Sequence, residues 1–410
     1  MEKMVAYSGN AGPTVRSDCE ISLELTDRGG IVTTINSRVL SLYGESIREQ
    51  CAALLDFFGI RNCVLKVNDS GALPFVIAAR TEAAVRQIIN TDREFLPSFD
   101  RSVFRATARD RFRFARLYVP GNTPAMMINA GLHSADGVIL DLEDSVAPSR
   151  KDEARILVRN ALRQIEFREA ERMVRINQGS RGLEDLRFII PHHVNLVLIP
   201  KCEDAGIVRT VDERIRDIQA LSETGEVVHL IPIIESARGV EQAFAIATSS
   251  ENVVALAIGL EDYTADIGVM RSVEGTESFY ARTRVVNAAK AAGIQALDSV
   301  FSDTGDDEGL AKSVAVSRSL GFEGMGCIHP RQIAAVKDGF APCEAEIEKA
   351  MKIVTAYDEA ERKGLGVVAL GTKMIDPPVA ARALRVIDLA VKLGLIPRDW
   401  MKNRKETITN

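Results

Sequence analysis

LVLIPK (196–201), LIPIIES (230–236) and VVALAIGLED (253–262) are three short runs dominated by Val, Ile, Leu and Ala, with longer amphipathic segments between them. Apolar runs without polar alternation are the mark of strands buried on both faces, and the segments between them read as helices. Working outward, the same rhythm continues upstream in RMVRIN (172–177), GVILDLE (137–143) and FARLYVP (114–120), and downstream in QALDSVF (295–301) and EGMGCIHP (323–330). Eight such runs with helical spacers predict an α/β fold, a TIM (β/α)8 barrel. A doubly wound sheet is the alternative arrangement of the same elements.

The charged residues at the ends of these runs point to chemistry. Glu143 and Asp144 end the second run and Arg175 lies in the third. Lys201 ends the fourth, Glu235 the fifth, and Glu261 and Asp262 the sixth, while Asp303 follows the seventh and His329 ends the eighth. The C-terminal strand ends of a barrel form one face, so charges scattered in sequence converge there. Glu235 and Asp262 are the candidate metal pair, because a few hard oxygen ligands completed by water and substrate suit Mg²⁺, and there is no histidine cluster to favour zinc. The same acids would also serve as N-caps of the following helices. Arg175 is unusual in an apolar strand: it either pairs with Glu143 or Asp144, or offers a fork to a carboxylate substrate. His192 and His193 precede the fourth run, on the opposite face, and receive no role. GGIV and GLGVV match neither a P-loop nor GxGxxG, which argues against kinase and Rossmann dehydrogenase readings.

The chain has 410 residues, 46% hydrophobic and 26% charged, a composition of soluble domains with cores of their own. A net charge of −6 with both signs interspersed excludes a nucleic-acid stripe. Six well-separated cysteines without a CxxC pair read as reduced thiols. There is no apolar leader and no run near the ~18 residues of a membrane span, so the expected location is cytoplasmic, away from membranes. Residues 1–100 alternate short patterns and form a small α+β domain. CEISLEL, GGIVTTINS, NCVLKVND and ALPFVIAA read as strands, with helices near 41–58 and from about 81. Asp69-Ser70-Gly71 reads as a hairpin turn between the last two strands. An Arg-rich linker (101–112) leads to the barrel (113–345), and a helical lid or oligomerisation segment (346–410) follows.

RLYVPGN (116–122), VILDLEDSV (138–146), VRIN (174–177), IPIIESARGV (231–240), GTESFYAR (275–282), IHPRQI (328–333) and GLGVVALGTKMID (364–376) resemble, in order, the citrate lyase β subunit. That subunit stands in the HpcH/HpaI aldolase-like family of malyl-, citramalyl- and citryl-thioester lyases. The resemblance implies that Glu235 and Asp262 ligate Mg²⁺ and that Arg175 binds the oxo-acid. It places Arg116 near the thioester cofactor, with Glu143, Asp144 and Lys201 as further substrate-binding candidates. It also implies that Asp376, on the C-terminal lid, acts as an acid–base residue in a neighbouring subunit, making the enzyme a homo-oligomer, trimer or hexamer. Its bland role is a helix N-cap before Pro377.

AGPTVRSDCEISLE (11–24) and VNDSGALPFVIAARTEAAVRQI (67–88) resemble the citrate lyase acyl carrier subunit. That resemblance implies a phosphoribosyl dephospho-CoA arm on a serine of a Ser-Ser-Asp triplet, which here reads Arg16-Ser17-Asp18. Ser17 is the attachment candidate, or else a turn residue in a domain that has lost its arm. Three functions follow. The first is a carrier-linked citryl lyase giving oxaloacetate and an acetyl thioester, with an α-subunit-like acyltransferase as partner. The second is a lyase on free CoA thioesters such as malyl-CoA or citramalyl-CoA. The third is a non-catalytic scaffold, disfavoured by the retained Glu235, Asp262, Arg175 and Asp376.

Overall fold

The computed structural model describes residues 5–99, 104–222 and 225–401. The chain divides into two compact units, residues 1–333 and 334–410.

The first unit opens with a four-stranded sheet: β1 (Val5–Ser8), β2 (Cys19–Leu25), β3 (Ile31–Ser37) and β4 (Cys63–Asp69), in the order β1-β2-β4-β3. β2 lies antiparallel to β1 and β4, and β3 runs parallel to β4. In β2, Cys19, Ile21 and Leu23 are buried while Glu20, Ser22 and Glu24 are not, the period of two expected of a half-buried strand. The buried face, which includes Leu65 and Val67 of β4, packs on helix Leu40–Phe57 through Leu54 and Leu55 and on helix Pro74–Ile88 through Ile77 and Val85.

Here the structure corrects the strand expected at ALPFVIAA. That stretch belongs to helix Pro74–Ile88, which Pro74 opens in its first turn after an extended Leu73. Its first eleven positions after Pro74 are all buried, because it lies between its own sheet and the barrel helix Lys151–Gln164. A helix covered all round loses its polar stripe, and with it the helical signature in the sequence. Asp69-Ser70-Gly71 is accordingly no hairpin: Asp69 Oδ1 accepts from the amide of Ala72 at 2.7 Å, and the turn leads into the helix. Strand β1 adds a further edge that the sequence reading lacks.

The small domain is bolted to the barrel by buried charge. Arg159 grips Glu82 through two hydrogen bonds of 2.9 and 2.7 Å, both side chains being fully buried. Asn160 Nδ2 donates to Phe75 O at 3.0 Å. Arg80 forks Asp18 at 2.9 and 3.0 Å, donates to Asn122 Oδ1 at 2.6 Å, and lies 3.1 Å from Glu153 Oε1. Arg150 donates to Gly9 O at 2.7 Å. The linker and its flanks are docked as well: Asn195 Nδ2 donates to Arg105 O at 2.9 Å, and on either side Arg163 donates to Pro97 O, Phe99 stacks on His193, and buried Arg113 forks Glu171. Linker residues 101–103 lie outside the described residues. Removing the Glu82 charge leaves buried Arg159 only the partly exposed Glu94, 3.4 Å away, and takes the same partner from Arg86, so Glu82→Gln is expected to cost about 3 kcal/mol, read as a lowered midpoint in urea unfolding. A loss under about 1 kcal/mol would mean that water reaches this contact.

The barrel follows: β5 (Ala115–Pro120), β6 (Gly137–Asp141), β7 (Glu171–Arg175), β8 (Leu196–Ile199), β9 (His229–Ile234), β10 (Ala255–Ile258), β11 (Gln295–Leu297) and β12 (Met325–Cys327). Each strand lies parallel to its neighbours, and β12 pairs with β5. Closure between β11 and β12 comes from the Asp298–Met325 bridge, with Asp298 N donating to Gly324 O at 2.7 Å. The arrangement is the (β/α)8 barrel rather than the doubly wound sheet. Ile139, Met173, Leu196, Leu198, Ile231, Ile233 and Ala255 pack its interior.

The second unit pairs helices Glu344–Arg362 and Pro377–Lys392 around Val354, Ile387 and Trp400, with a small hairpin of β13 (Val368–Leu370) and β14 (Lys373–Ile375). Asp376 is the N-cap of its second helix, accepting from Val379 N at 3.0 Å. Among the described residues no helix is long and apolar enough to cross a membrane.

Candidate active site at the C-terminal end of the barrel

Inward-facing residues near the strand ends enclose a cavity of about 310 Å³. β5 contributes Arg116, Tyr118 and Pro120, alternate residues that point inward, as the pleat requires. Asp141 ends β6, Arg175 ends β7, and Glu235 directly follows β9. Gly259 and the helix Leu260–Asp266, which carries Glu261 and Asp262, follow β10, and Asp298 and Ser299 follow β11.

Glu235 is 6% exposed, and burial pushes its carboxyl up to about 7, against the opposing pull of the Lys201 amide and Arg175. Its Oε2 accepts from Lys201 N at 2.8 Å. A Cβ at position 259 would stand 2.4 Å from Glu235 Oε1, so only glycine leaves the carboxylate its place. Lys201 itself adopts a left-handed backbone, φ 46°, rare for a residue with a side chain. Its ammonium lies 3.2 Å from Asp262 Oδ1, 3.6 Å from Glu143 Oε1 and 3.7 Å from Asp144 Oδ2. Burial pulls the Lys201 pKa down, but these three acids outweigh it and hold it above its ordinary value.

The two arginines differ. Arg175 forks Asp141 at 2.6 and 2.8 Å, reaches Glu143 Oε2 at 3.2 Å and lies over the Tyr118 ring. Although burial favours the neutral form of each partner, the pairing keeps Arg175 charged and Asp141 below the usual carboxylate range. Arg116 is 1% exposed, yet its Nε and Nη1 have no hydrogen-bond partner, and Nη2 reaches only the carbonyl of Asp298, at 3.3 Å. Burial lowers its pKa. It is a buried cation short of an anion, and it faces the cavity. Asp298, bonded to Arg282 and Ser317, shapes the loop whose Ser299 Oγ accepts from Leu260 N at 3.1 Å, at the start of the helix that carries Asp262.

Of the sequence candidates, the cavity gathers Arg116, Arg175, Glu235 and Asp262; Lys201, Glu143 and Asp144 stand beside it, linked through the Lys201 ammonium. Asp376 belongs to the second unit and Ser17 to the small domain. Asp303 lines an adjoining cavity, His329 is exposed, and His192 is buried with its ring driven down to about 2 by burial and nearby arginines. The sequence reading missed Asp141, Tyr118 and Asp298. Asp141 had a signal: it shares the inward register of Ile139 within a strand of otherwise apolar residues.

No group of three or more His, Cys, Asp or Glu suited to a metal occurs among the described residues. The two carboxylates expected from the sequence are the ones to weigh for such an ion. Glu235, buried and short of positive charge, and Asp262, in the first turn of the following helix, fit a hard divalent ion that keeps waters or substrate oxygens in its remaining positions.

Residues 115–330 match the family described as HpcH/HpaI aldolase/citrate lyase. The chain belongs to this family. Residues 8–88 match the family of the malonate decarboxylase delta subunit, so this lyase carries an acyl-carrier-like domain ahead of its barrel. It is 39% identical to the citrate lyase subunit beta of Leuconostoc mesenteroides subsp. cremoris over 290 residues, 68% of this chain and 94% of that one. It is 30% identical to the human mitochondrial citramalyl-CoA lyase over 336 residues, 78% of this chain and 99% of the relative. Among solved structures it resembles CitE from Mycobacterium tuberculosis in complex with magnesium, acetoacetate and coenzyme A. The TM-score is 0.58 at 29% identity, over 69% of this chain and 99% of that one. The chain is thus an enzyme, a carbon–carbon lyase.

Proposed function

We propose that this lyase cleaves a β-hydroxyacyl thioester of citryl type into an oxo-acid such as oxaloacetate and an acetyl thioester, with Mg²⁺ held by Glu235 and Asp262. The observation that carries the reading is the pairing, in one cavity, of a charge-deficient carboxylate with the unpaired guanidinium of Arg116. The resemblance gives the oxo-acid to Arg175 and the thioester to Arg116, but Arg175 is already engaged by Asp141 while two nitrogens of Arg116 bond nothing, so Arg116 is the better receptor for the carboxylate of the departing oxo-acid. Arg175, held rigid by Asp141, adds a fixed positive charge that costs no reorganisation as charge develops. Bound Mg²⁺ would supply Lewis acidity to the hydroxyl and carboxylate oxygens of the substrate. In the reaction the hydroxyl loses its proton and becomes a carbonyl, the carbon–carbon bond breaks, and its electron pair passes to the thioester fragment as an enolate. The hydroxyl proton passes to solvent, and Asp376, supplied by a neighbouring copy in a homo-oligomer, delivers a proton to that carbon and takes one back from solvent.

A second reading, cleavage of free citramalyl-CoA or malyl-CoA, is favoured by the loop at Arg16-Ser17-Asp18. Ser17 is held left-handed, φ 57°, its amide bonded to Ser70 O, and Asp18 is engaged by Arg80. Assays with citryl-, citramalyl- and malyl-CoA, with Mg²⁺ and with EDTA, test both readings. Metal-dependent release of oxaloacetate is expected from citryl-CoA, and an intact mass carrying an arm on Ser17 would direct the assay to a carrier-bound substrate with an acyltransferase partner. Failure on every thioester would overturn the reading.

A further inference from the structure

Lys201 touches four acidic groups in and beside the cavity, by two different routes. Its backbone amide anchors Glu235 at 2.8 Å, and its ammonium lies 3.2 Å from Asp262 and within 3.7 Å of both Glu143 and Asp144. Its left-handed backbone is a conformation that a side-chain-bearing residue keeps only when its surroundings hold it there. The side chain is one-third exposed, so its ammonium can swing towards solvent on its flexible stem. Carboxylates gathered around one ammonium repel one another when that counter-ion is taken away.

We propose that the Lys201 ammonium is a built-in counter-ion that occupies the cation position beside Asp262, so that a divalent metal must displace it on binding. The proposal rests on the reading of Glu235 and Asp262 as the metal pair and adds a role that this reading does not contain. A tethered cation keeps the acidic rim ordered without metal and lowers metal affinity by the work of moving the ammonium aside. The backbone bond to Glu235 does not depend on the side chain, so one carboxylate stays in place while the other is released. Lys201 is a positioning residue in this scheme and contacts no reacting atom.

The test is calorimetric titration of MgCl₂ into metal-free wild-type protein, Lys201→Met, Lys201→Gln and Lys201→Arg, without substrate, together with thermal melts in EDTA. Lys201→Met and Lys201→Gln are expected to bind Mg²⁺ at least fivefold more tightly than wild type and to melt several degrees lower when metal-free. Lys201→Arg, which keeps the charge, should stay close to wild type in both. Mg²⁺ affinity unchanged or weakened in Lys201→Met and Lys201→Gln overturns the counter-ion role and leaves the metal reading intact. Absence of Mg²⁺ binding in all four proteins overturns the metal reading itself, and the proposal with it.

Discussion

Arg116→Met is expected to stabilise the protein while disabling it. The side chain is almost fully buried, two of its three nitrogens lack any partner, and no acidic side chain neutralises it at bonding distance. A buried charge left in this state costs stability, and replacing buried ionic groups by apolar ones of similar volume is neutral or stabilising by about 1–4 kcal/mol. Methionine is unbranched and fills an irregular space well. Denaturant midpoints should therefore rise. The value of kcat/KM for the thioester that the enzyme cleaves should fall about 10²- to 10³-fold, as when one partner of a buried, hydrogen-bonded charge pair is truncated. A variant that loses stability and keeps its activity would place the carboxylate receptor elsewhere.

Glu235→Gln should have the second large effect, and its sign with pH is fixed by the burial of the carboxyl. In the metal-free wild type this group titrates at about 7 in the folded protein against an ordinary 4.5. Between those values the folded state binds more protons than the unfolded state, so this group's contribution to stability falls as pH rises from about 4.5 to about 7 and is level beyond. Glutamine has nothing to titrate, so the variant should lack that slope. Mg²⁺ needs the carboxylate, so wild-type affinity should weaken about tenfold per pH unit below about 7. At pH 8 saturating Mg²⁺ should raise the melting temperature of the wild type and leave Glu235→Gln unmoved. Lyase activity of the variant should drop by about a thousandfold or more, taking the metal's share of catalysis as several kcal/mol. Equal Mg²⁺ stabilisation of both proteins would remove Glu235 from the metal site.

The barrel was legible because parallel strands buried on both faces have no reason to alternate, and all eight apolar runs became β5 to β12. The charged strand ends were legible for the converse reason: nothing apolar would be lost there unless the site required it. The helix at Pro74–Ile88 was hidden because it is sandwiched, so its sequence carries no face. Partner choice was hidden too. The sequence reads Arg175 as pairing with Glu143 or Asp144 or as forking a carboxylate substrate, and that reading passes over Asp141, which parallel register sets directly beside it on β6. Glu143 takes the second place at 3.2 Å. The state of Arg116 could not be read at all, since an unpaired guanidinium is defined by what three-dimensional packing fails to bring near it.

The buried web of Arg80, Asp18, Asn122, Glu82 and Arg159 bears on how the two halves of the first unit work together. A carrier on a flexible tether reaches its enzyme at an effective concentration set by the length and stiffness of the tether. Here the loop that contains Ser17 is fastened, through Asp18 and Arg80, to Asn122, two residues beyond the end of β5. Whatever that loop holds or touches therefore meets the same rim of the barrel in every molecule, at a local concentration that does not vary with linker length and does not fall when the protein is diluted.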